Sequence, residues 1–237
     1  MNGTRRAAAA EAYGTFLLTM LGPGTITAMK LLDPFGPSPA SLGFIGLAHG
    51  VGLLVAVYSI GHVSGAHINP AVTIAQWATR RLDRGKVAPY IIAQLLGATI
   101  ASIAQLVLWS SPGSTRVAQS THLGDTIPGS GFGLLPALLA EVVATAILLF
   151  TISGVTDKKA EKSWAGVTLG LVLAAMIWVF GPISGASLNP ARTFGPTLVS
   201  ALAFGDLTPA GTLWIYVAGP ILGGLLGAFL YDVIKSE

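Results

Sequence analysis

Two short polar stretches in an otherwise apolar chain carry the residues best suited to chemistry. Residues 64–73 read SGAHINPAVT and residues 184–196 read SGASLNPARTFGP, so an Asn-Pro-Ala triplet recurs 120 positions later. Asparagine caps a helix well because its side-chain oxygen accepts a free backbone N–H of the first turn. Proline suits the first helical position, where its missing N–H does no harm. The two triplets therefore predict two capped helices; they are Asn69-Pro70-Ala71 and Asn189-Pro190-Ala191.

The helix after the second triplet is too short to cross a bilayer. Its apolar part, residues 191–201, spans about 16 Å at a rise of about 1.5 Å per residue. A bilayer core is about 30 Å thick, so this is a half-helix. Two capped half-helices in two halves of one membrane protein predict a pore at the bilayer midplane.

The composition excludes several classes of protein. Of 237 residues, 52% are hydrophobic and only 10% are charged, against about 25% charged in soluble domains. This composition indicates an integral membrane protein. The chain has no cysteine, and its net charge of +3 is too small to predict nucleic-acid binding. No nucleophile–base set is evident, so we expect neither an enzyme nor a cofactor.

Six long apolar segments predict an all-α membrane protein with six transmembrane helices and two re-entrant half-helices. The segments cover about 8–32, 42–62, 87–109, 134–155, 164–183 and 211–234, each near the ~20 residues that a spanning helix needs. We expect one channel domain over 1–237, with a first repeat at about 1–110, a linker at 111–133 and a second repeat at about 134–237. Three spans per half is an odd number, so the second repeat must enter from the opposite side, as in an inverted 3+3 repeat.

Matching residues in the two halves support the repeat. Glu11 and Glu141 lie at equivalent positions in the first and fourth segments. A carboxylate among apolar helices needs hydrogen-bond donors, so we expect each glutamate to brace one re-entrant loop. Small residues four apart, as at Gly219, Gly223 and Gly227, predict close helix contacts.

Lysine and arginine predict the orientation, because they concentrate on the cytoplasmic side of membrane proteins. With both termini cytoplasmic, ten of the 13 basic residues lie inside, and Lys30, Arg116 and Arg192 do not. This count requires residues 63–79 to enter the membrane and return to the same side. The absence of cysteine favours a prokaryotic cell membrane as the location.

The paired triplets, the two Ala-Glu openings, Gln94 and the Gly219-Pro220 pair resemble the aquaporin, or major intrinsic protein, family. The resemblance covers nearly the whole chain. It implies six tilted helices, one pore per subunit, a homotetramer in the lipid bilayer, and water and small neutral solutes as the permeants. In this interpretation Asn69 and Asn189 each direct an amide N–H toward the passing molecule.

The resemblance also implies an outer selectivity filter of His49, Ile177, Ala186 and Arg192. This set is similar to that of plant tonoplast-type members and favours ammonia beside water. An unpaired arginine in a membrane segment is by default a functional residue. His122 is a further candidate for the outer loop of the filter, although an ordinary solvated histidine fits equally. His62 and His67 are interpreted as loop-fixing residues, because five-residue spacing without carboxylate partners does not predict a metal site.

Two alternatives stay open. A glycerol facilitator is the nearer one, although such members generally carry an aspartate where this chain has Thr193. Val217 departs from the paired aromatics of many water channels and weakens the water-channel interpretation. A coupled secondary transporter also uses inverted repeats with broken helices, but it would need ionisable residues near the midplane.

Overall fold

The computed structural model describes residues 3–33 and 38–235, which contain helices and connecting turns and no strand. Its α-helices are α1 (Gly3–Leu32), α2 (Pro39–Ser64), α3 (Pro70–Ala78), α4 (Arg84–Leu108), α5 (Ser114–Ser120), α6 (Leu134–Val155), α7 (Ala165–Ser184), α8 (Pro190–Phe204) and α9 (Thr208–Ile234).

Six of these helices are long and apolar enough to cross a membrane: α1, α2, α4, α6, α7 and α9. They coincide with the six predicted segments, so the all-α membrane fold is confirmed. Several begin earlier than predicted, since a helix continues through polar residues whenever its backbone hydrogen bonds can still form. α1, for example, starts at Gly3 and includes Arg5 and Arg6.

The two predicted half-helices are α3, with 9 residues, and α8, with 15 residues. α8 continues to Phe204, three residues past the predicted apolar end, and stops at Gly205, whose φ of 70° is left-handed. The predicted linker also contains α5 and a short 3-10 helix, His122–Gly124. The linker is rich in Ser, Gly, Thr and Pro, a composition that predicted neither helix.

The helix contacts repeat between the two halves. α1 packs on α2 and α4, and in the same way α6 packs on α7 and α9. Each half-helix packs against the last span of the other half, α3 on α9 and α8 on α4, while α2 contacts α7 across the middle. This exchange of half-helices holds the two repeats together and brings both re-entrant loops to the centre.

Small residues permit the closest of these contacts. A Cβ added at Gly223 or Gly227 of α9 would overlap the backbone carbonyl of Val142 or Ala146 in α6. At the central crossing, a Cβ on Gly170 would lie 2.6 Å from the carbonyl oxygen of Gly50. The predicted small-residue contacts are therefore confirmed for α9, and glycines allow an equally close contact at the α2–α7 crossing.

Candidate pore site

Both half-helices begin at a capping asparagine. Asn69 accepts a hydrogen bond at Oδ1 from the Ala71 N–H at 2.8 Å. Asn189 accepts from the N–H groups of Ala191 at 3.0 Å and Arg192 at 3.3 Å. Proline follows each asparagine at the first helical position, so the local sequence fixes where each half-helix starts.

The same two asparagines join the two re-entrant loops. Asn69 Nδ2 donates to the Leu188 carbonyl at 2.7 Å, and Asn189 Nδ2 donates to the Ile68 carbonyl at 2.9 Å. A carboxamide nitrogen carries two N–H groups, so each asparagine keeps one more donor. Both side chains line the central cavity, and the remaining donor of each can serve a molecule there.

Glu11 is fully buried and binds the first re-entrant loop. Its Oε1 accepts from Ser64 Oγ at 2.6 Å and from the His67 N–H at 2.9 Å. Its Oε2 accepts from the Ile68 N–H at 2.5 Å and from Gln94 Nε2 at 2.7 Å. Four donors thus surround one carboxylate, as a charge inside a membrane requires.

Glu141 is bound in the same way in the second repeat. Its Oε1 accepts from Ser184 Oγ at 2.8 Å and from the Ser187 N–H at 2.9 Å, and its Oε2 accepts from the Leu188 N–H at 2.8 Å. Tyr216 donates to the Ser184 carbonyl at 2.7 Å. Tyr90 does the same for Ser64 in the first repeat, a pair of contacts that sequence reasoning missed.

The re-entrant loops hold unusual backbone conformations at matching positions. In these two loops, four residues other than glycine have left-handed φ values: Ala66 (48°), Ile68 (44°), Ala186 (46°) and Leu188 (56°). Such values are uncommon for residues with a side chain and persist where surrounding contacts fix them. The glutamates supply such contacts at Ile68 and Leu188, whose N–H groups they bind.

The central cavity has a volume of about 680 Å³. One end is lined by His49 and Arg192, the middle by Asn69 and Asn189, and most of the rest by apolar side chains such as Leu173. The other end reaches the α6–α7 turn and the end of α9, where Lys158, Lys159 and Lys235 line it. The cavity therefore runs from His49 and Arg192, past the two half-helix caps, to one face of the helix bundle.

Arg192 lines this cavity beside His49 and is only 1% exposed. Nη1 donates to the Gly124 carbonyl at 2.9 Å, while Nε and Nη2 lie 3.3 and 3.1 Å from His49 Nε2. The three ion pairs found in residues 3–33 and 38–235 do not include Arg192. Its side-chain hydrogen bonds thus go to neutral acceptors.

His49 is fixed by two hydrogen bonds that assign its tautomer. Nδ1 lies 2.9 Å from the Ile45 carbonyl and so must donate. Nε2 faces two N–H donors of Arg192 and so must accept. The ring is therefore neutral and acts as an acceptor for Arg192.

The other two predicted filter residues are placed differently. Ile177 and Ala186 are 2% and 1% exposed and belong to the buried apolar core. Of the four residues, the structure brings His49 and Arg192 into direct contact at the cavity, and it does not place Ile177 or Ala186 in the cavity lining.

His122 lies outside the central cavity. It lines a separate cavity of about 260 Å³ between α1, α2 and the linker, and its Nε2 is 2.7 Å from Asp206 Oδ2. Hydrogen bonds from Thr208, and then from His122, lower the pKa of Asp206 to about 2.

Asp125 is a partly buried carboxyl group near Arg192 that sequence reasoning missed. It accepts from Thr197 Oγ1 at 2.6 Å and from the Thr126 N–H at 2.7 Å. Burial raises its pKa to about 7, although these hydrogen bonds and the nearby Arg192 charge act in the opposite direction. In the sequence, Asp125 is only an acidic residue in a polar linker, and nothing there predicts that it lies near Arg192.

The remaining histidines differ from each other. His67 contacts Thr73 Oγ1 at 3.2 Å and packs edge-on against Tyr90, within the first re-entrant loop. His62 is exposed in the last turn of α2. In the part of the chain that the structure describes, no cluster of three or more potential metal ligands occurs.

Six membrane-length helices, with two half-helices meeting cap to cap beside one cavity, define a multi-pass membrane protein of the aquaporin-like fold. The family model of the major intrinsic proteins matches residues 2–231. The chain belongs to this family, and it is a membrane channel for small neutral solutes.

Individual relatives agree with this assignment. The chain is 42% identical to aquaporin AqpM of Methanothermobacter thermautotrophicus, with 96% of each chain covered. It is 36% identical to aquaporin Z of Photorhabdus laumondii, with 98% of each covered. Its structure is similar to that of the aquaglyceroporin from Plasmodium falciparum, with a TM-score of 0.86 and 26% identity over 98% of this chain and 96% of the other. These relatives are channels, not enzymes.

Proposed function

We propose that this protein is a passive channel for water, and also for ammonia and other small neutral solutes, and that it excludes protons and ions. The observation that carries this proposal is the pairing of Asn69 and Asn189 in the cavity wall. Each asparagine caps its own helix, bonds to the opposite loop and keeps one amide donor for a permeant. In this account the whole chain forms one channel domain of two repeats joined by residues 111–133.

Proton exclusion follows from these donors. A water molecule between the asparagines accepts a hydrogen bond from each of them, so its own two protons point outward. A chain of waters oriented in this way cannot pass a proton along itself. The N-termini of α3 and α8 also face this point, and each acts as about half a positive charge. Cations therefore meet a positive field that neutral solutes do not experience.

Arg192 supplies a second barrier in this proposal. Its guanidinium carries five N–H groups, and three of them are used by His49 and Gly124. The other two can bind the oxygen of a neutral solute, while the charge repels cations. His49 shares this barrier through its contact with Arg192. Ile177, Ala186 and His122, which do not line the central cavity, stay predictions from the resemblance.

The two alternatives make different demands on the chain. A glycerol facilitator is supported by the similarity to a solved aquaglyceroporin, and Thr193 in place of an aspartate argues against it. A coupled transporter needs a midplane carboxylate for its driving ion. Glu11 and Glu141 are engaged by loop donors, which supports their role as braces of the re-entrant loops.

We further propose cytoplasmic termini and a homotetramer in a prokaryotic cell membrane. The lysine-lined end of the cavity would then be its cytoplasmic mouth, in agreement with the distribution of basic residues.

Stopped-flow light scattering on reconstituted vesicles tests the proposal. Vesicles with the protein are compared with empty vesicles for water, ammonia, urea and glycerol. We expect faster water and ammonia flux than in empty vesicles. Glycerol flux near the rate of water would favour the facilitator, and flux that requires a sodium or proton gradient would favour the coupled transporter.

A further inference from the structure

Gly22 of α1 lies directly beneath the ring of His49. An ideal Cβ at Gly22 would lie 2.5 Å from His49 Nε2 and 2.7 Å from Cγ, well inside any real Cβ contact. Glycine inside a helix is about 1 kcal/mol less favourable than alanine. Helix formation therefore does not explain a glycine at this position. The close approach of the His49 imidazole explains it.

The His49 ring is restrained on its other sides as well. Nδ1 is bound to the Ile45 carbonyl of its own helix, and Nε2 is bound by Arg192. The ring also borders the free volume of the central cavity, which His49 lines. Any side chain at residue 22 would push the ring toward that volume.

The next residue of α1, Pro23, supports the other partner of Arg192. Gly124 packs so closely on Pro23 that a Cβ at Gly124 would overlap the Pro23 backbone, and the Gly124 carbonyl accepts from Arg192. Because proline has no N–H, the Thr19 carbonyl loses its helical donor, and Gln105 Nε2 replaces it at 2.9 Å. The Gly22-Pro23 pair thus contacts both groups that bind Arg192.

We propose that Gly22 is a positioning residue that determines how large a solute the channel admits. Its bare backbone lets the His49 ring lie against α1, outside the path past Arg192, with Nε2 turned to the guanidinium. This inference rests on the proposed channel function and adds a specificity determinant on a helix that contributes no residue to the predicted filter.

Gly22→Ala tests the inference directly. Carbon atoms in contact prefer separations of about 3.5–4.0 Å, so the ring must shift by about 1 Å into the conduit. The quantity to compare is the flux of the largest solute that the parent channel admits, divided by the flux of water. We expect this ratio to fall about tenfold, which is the effect of about one methylene in a tight pocket. Stopped-flow measurements on urea, glycerol and water give this ratio.

Gly24→Ala is the matched control on the same helix. A Cβ at Gly24 would lie 3.7 Å from the nearest side-chain atom of Gln105, an ordinary contact. We expect the parent ratio for this variant. An equal fall in the Gly24→Ala ratio would overturn the inference, because it would trace the effect to α1 in general.

His49→Ala separates positioning from a structural role. If Gly22 acts through the imidazole, adding Gly22→Ala to His49→Ala leaves the flux ratio unchanged. If Gly22→Ala alone fails to fold, the double variant folds again. A fall of the same size with and without the imidazole, or no recovery of folding, overturns the inference. A parent that passes no neutral solute contradicts the proposed function. A conducting parent with an unchanged Gly22→Ala ratio contradicts this inference alone.

Discussion

Arg192 concentrates in one side chain the charge and the donors that a selective constriction needs. It could be predicted from the sequence, since a single arginine follows the second triplet inside a membrane segment. Its surroundings could not, because His49 and Gly124 lie 143 and 68 residues away in the chain. The sequence likewise gave no sign of Asp125 or Gly22, whose importance depends on contacts between separate segments.

Arg192→Val is expected to weaken the exclusion of cations and leave neutral flux intact. A cation about 6 Å from Arg192 meets a repulsion of about 3 kcal/mol at an effective dielectric constant of about 20. Loss of this term should raise cation leak at least about tenfold, since about 1.4 kcal/mol corresponds to tenfold. Ion-sensitive dyes in proteoliposomes measure the leak. Arg116→Val, at an exposed linker arginine, is the control, and an unchanged leak in Arg192→Val would remove the proposed role.

His49→Phe is expected to lower ammonia flux relative to water flux. A phenyl ring is larger than imidazole, and it can neither donate to Ile45 nor accept from Arg192. The constriction becomes narrower and less polar, and we expect the flux ratio to fall about tenfold, as for about one added methylene in a pocket. An internal pH dye reports ammonia entry. His62→Phe, on the exposed face of the same helix, is the control, and an equal ratio in both variants would make His49 a core residue only.

At the level of elements, the half-helices are where sequence and structure agree best. The Asn-Pro starts were predictable because capping is a local property. The left-handed backbone of Ala66, Ile68, Ala186 and Leu188 was not, because these residue types give no local preference for it. The glutamates that bind two of these residues come from the first span of each repeat, and only the comparison of the two halves indicated them.

Glu141→Gln is expected to destabilise the second re-entrant loop. An amide keeps one acceptor oxygen, so at least one of the buried donors on Ser184, Ser187 and Leu188 is left unpaired. The loss should be about 2–3 kcal/mol for a hydrogen bond to a charged group. Thermal unfolding in detergent measures it. Glu161→Gln changes an exposed glutamate and should have no effect, and equal unfolding temperatures for both variants would show that Glu141 does not brace the loop.

Gly227→Ala is expected to loosen the contact between α9 and α6. The added methyl group would overlap the Ala146 carbonyl, and overpacking of this kind costs about 1–3 kcal/mol. Gly211→Ala, at the open start of α9 with nothing within 4 Å of the new Cβ, is the matched control. A melting temperature for Gly227→Ala at or above that of Gly211→Ala would show that the contact is not tight.

In the whole molecule, the exchange of half-helices between repeats explains why one cavity forms. α3 packs on α9 and α8 packs on α4. Each half-helix therefore depends on the other repeat for most of its packing. Three spans per half made the inverted arrangement predictable, since an odd number of crossings reverses the second copy. The volume of the cavity and its apolar lining were not predictable, because both depend on side-chain packing between helices far apart in sequence.

The most direct test of the account measures water and proton flux together in the same reconstituted vesicles. An osmotic step reports water through light scattering, and an internal pH dye reports protons under an imposed pH gradient. We expect water flux well above that of empty vesicles, with proton flux equal to theirs. Proton entry that rises with the amount of protein, or water flux no faster than through lipid alone, would contradict it.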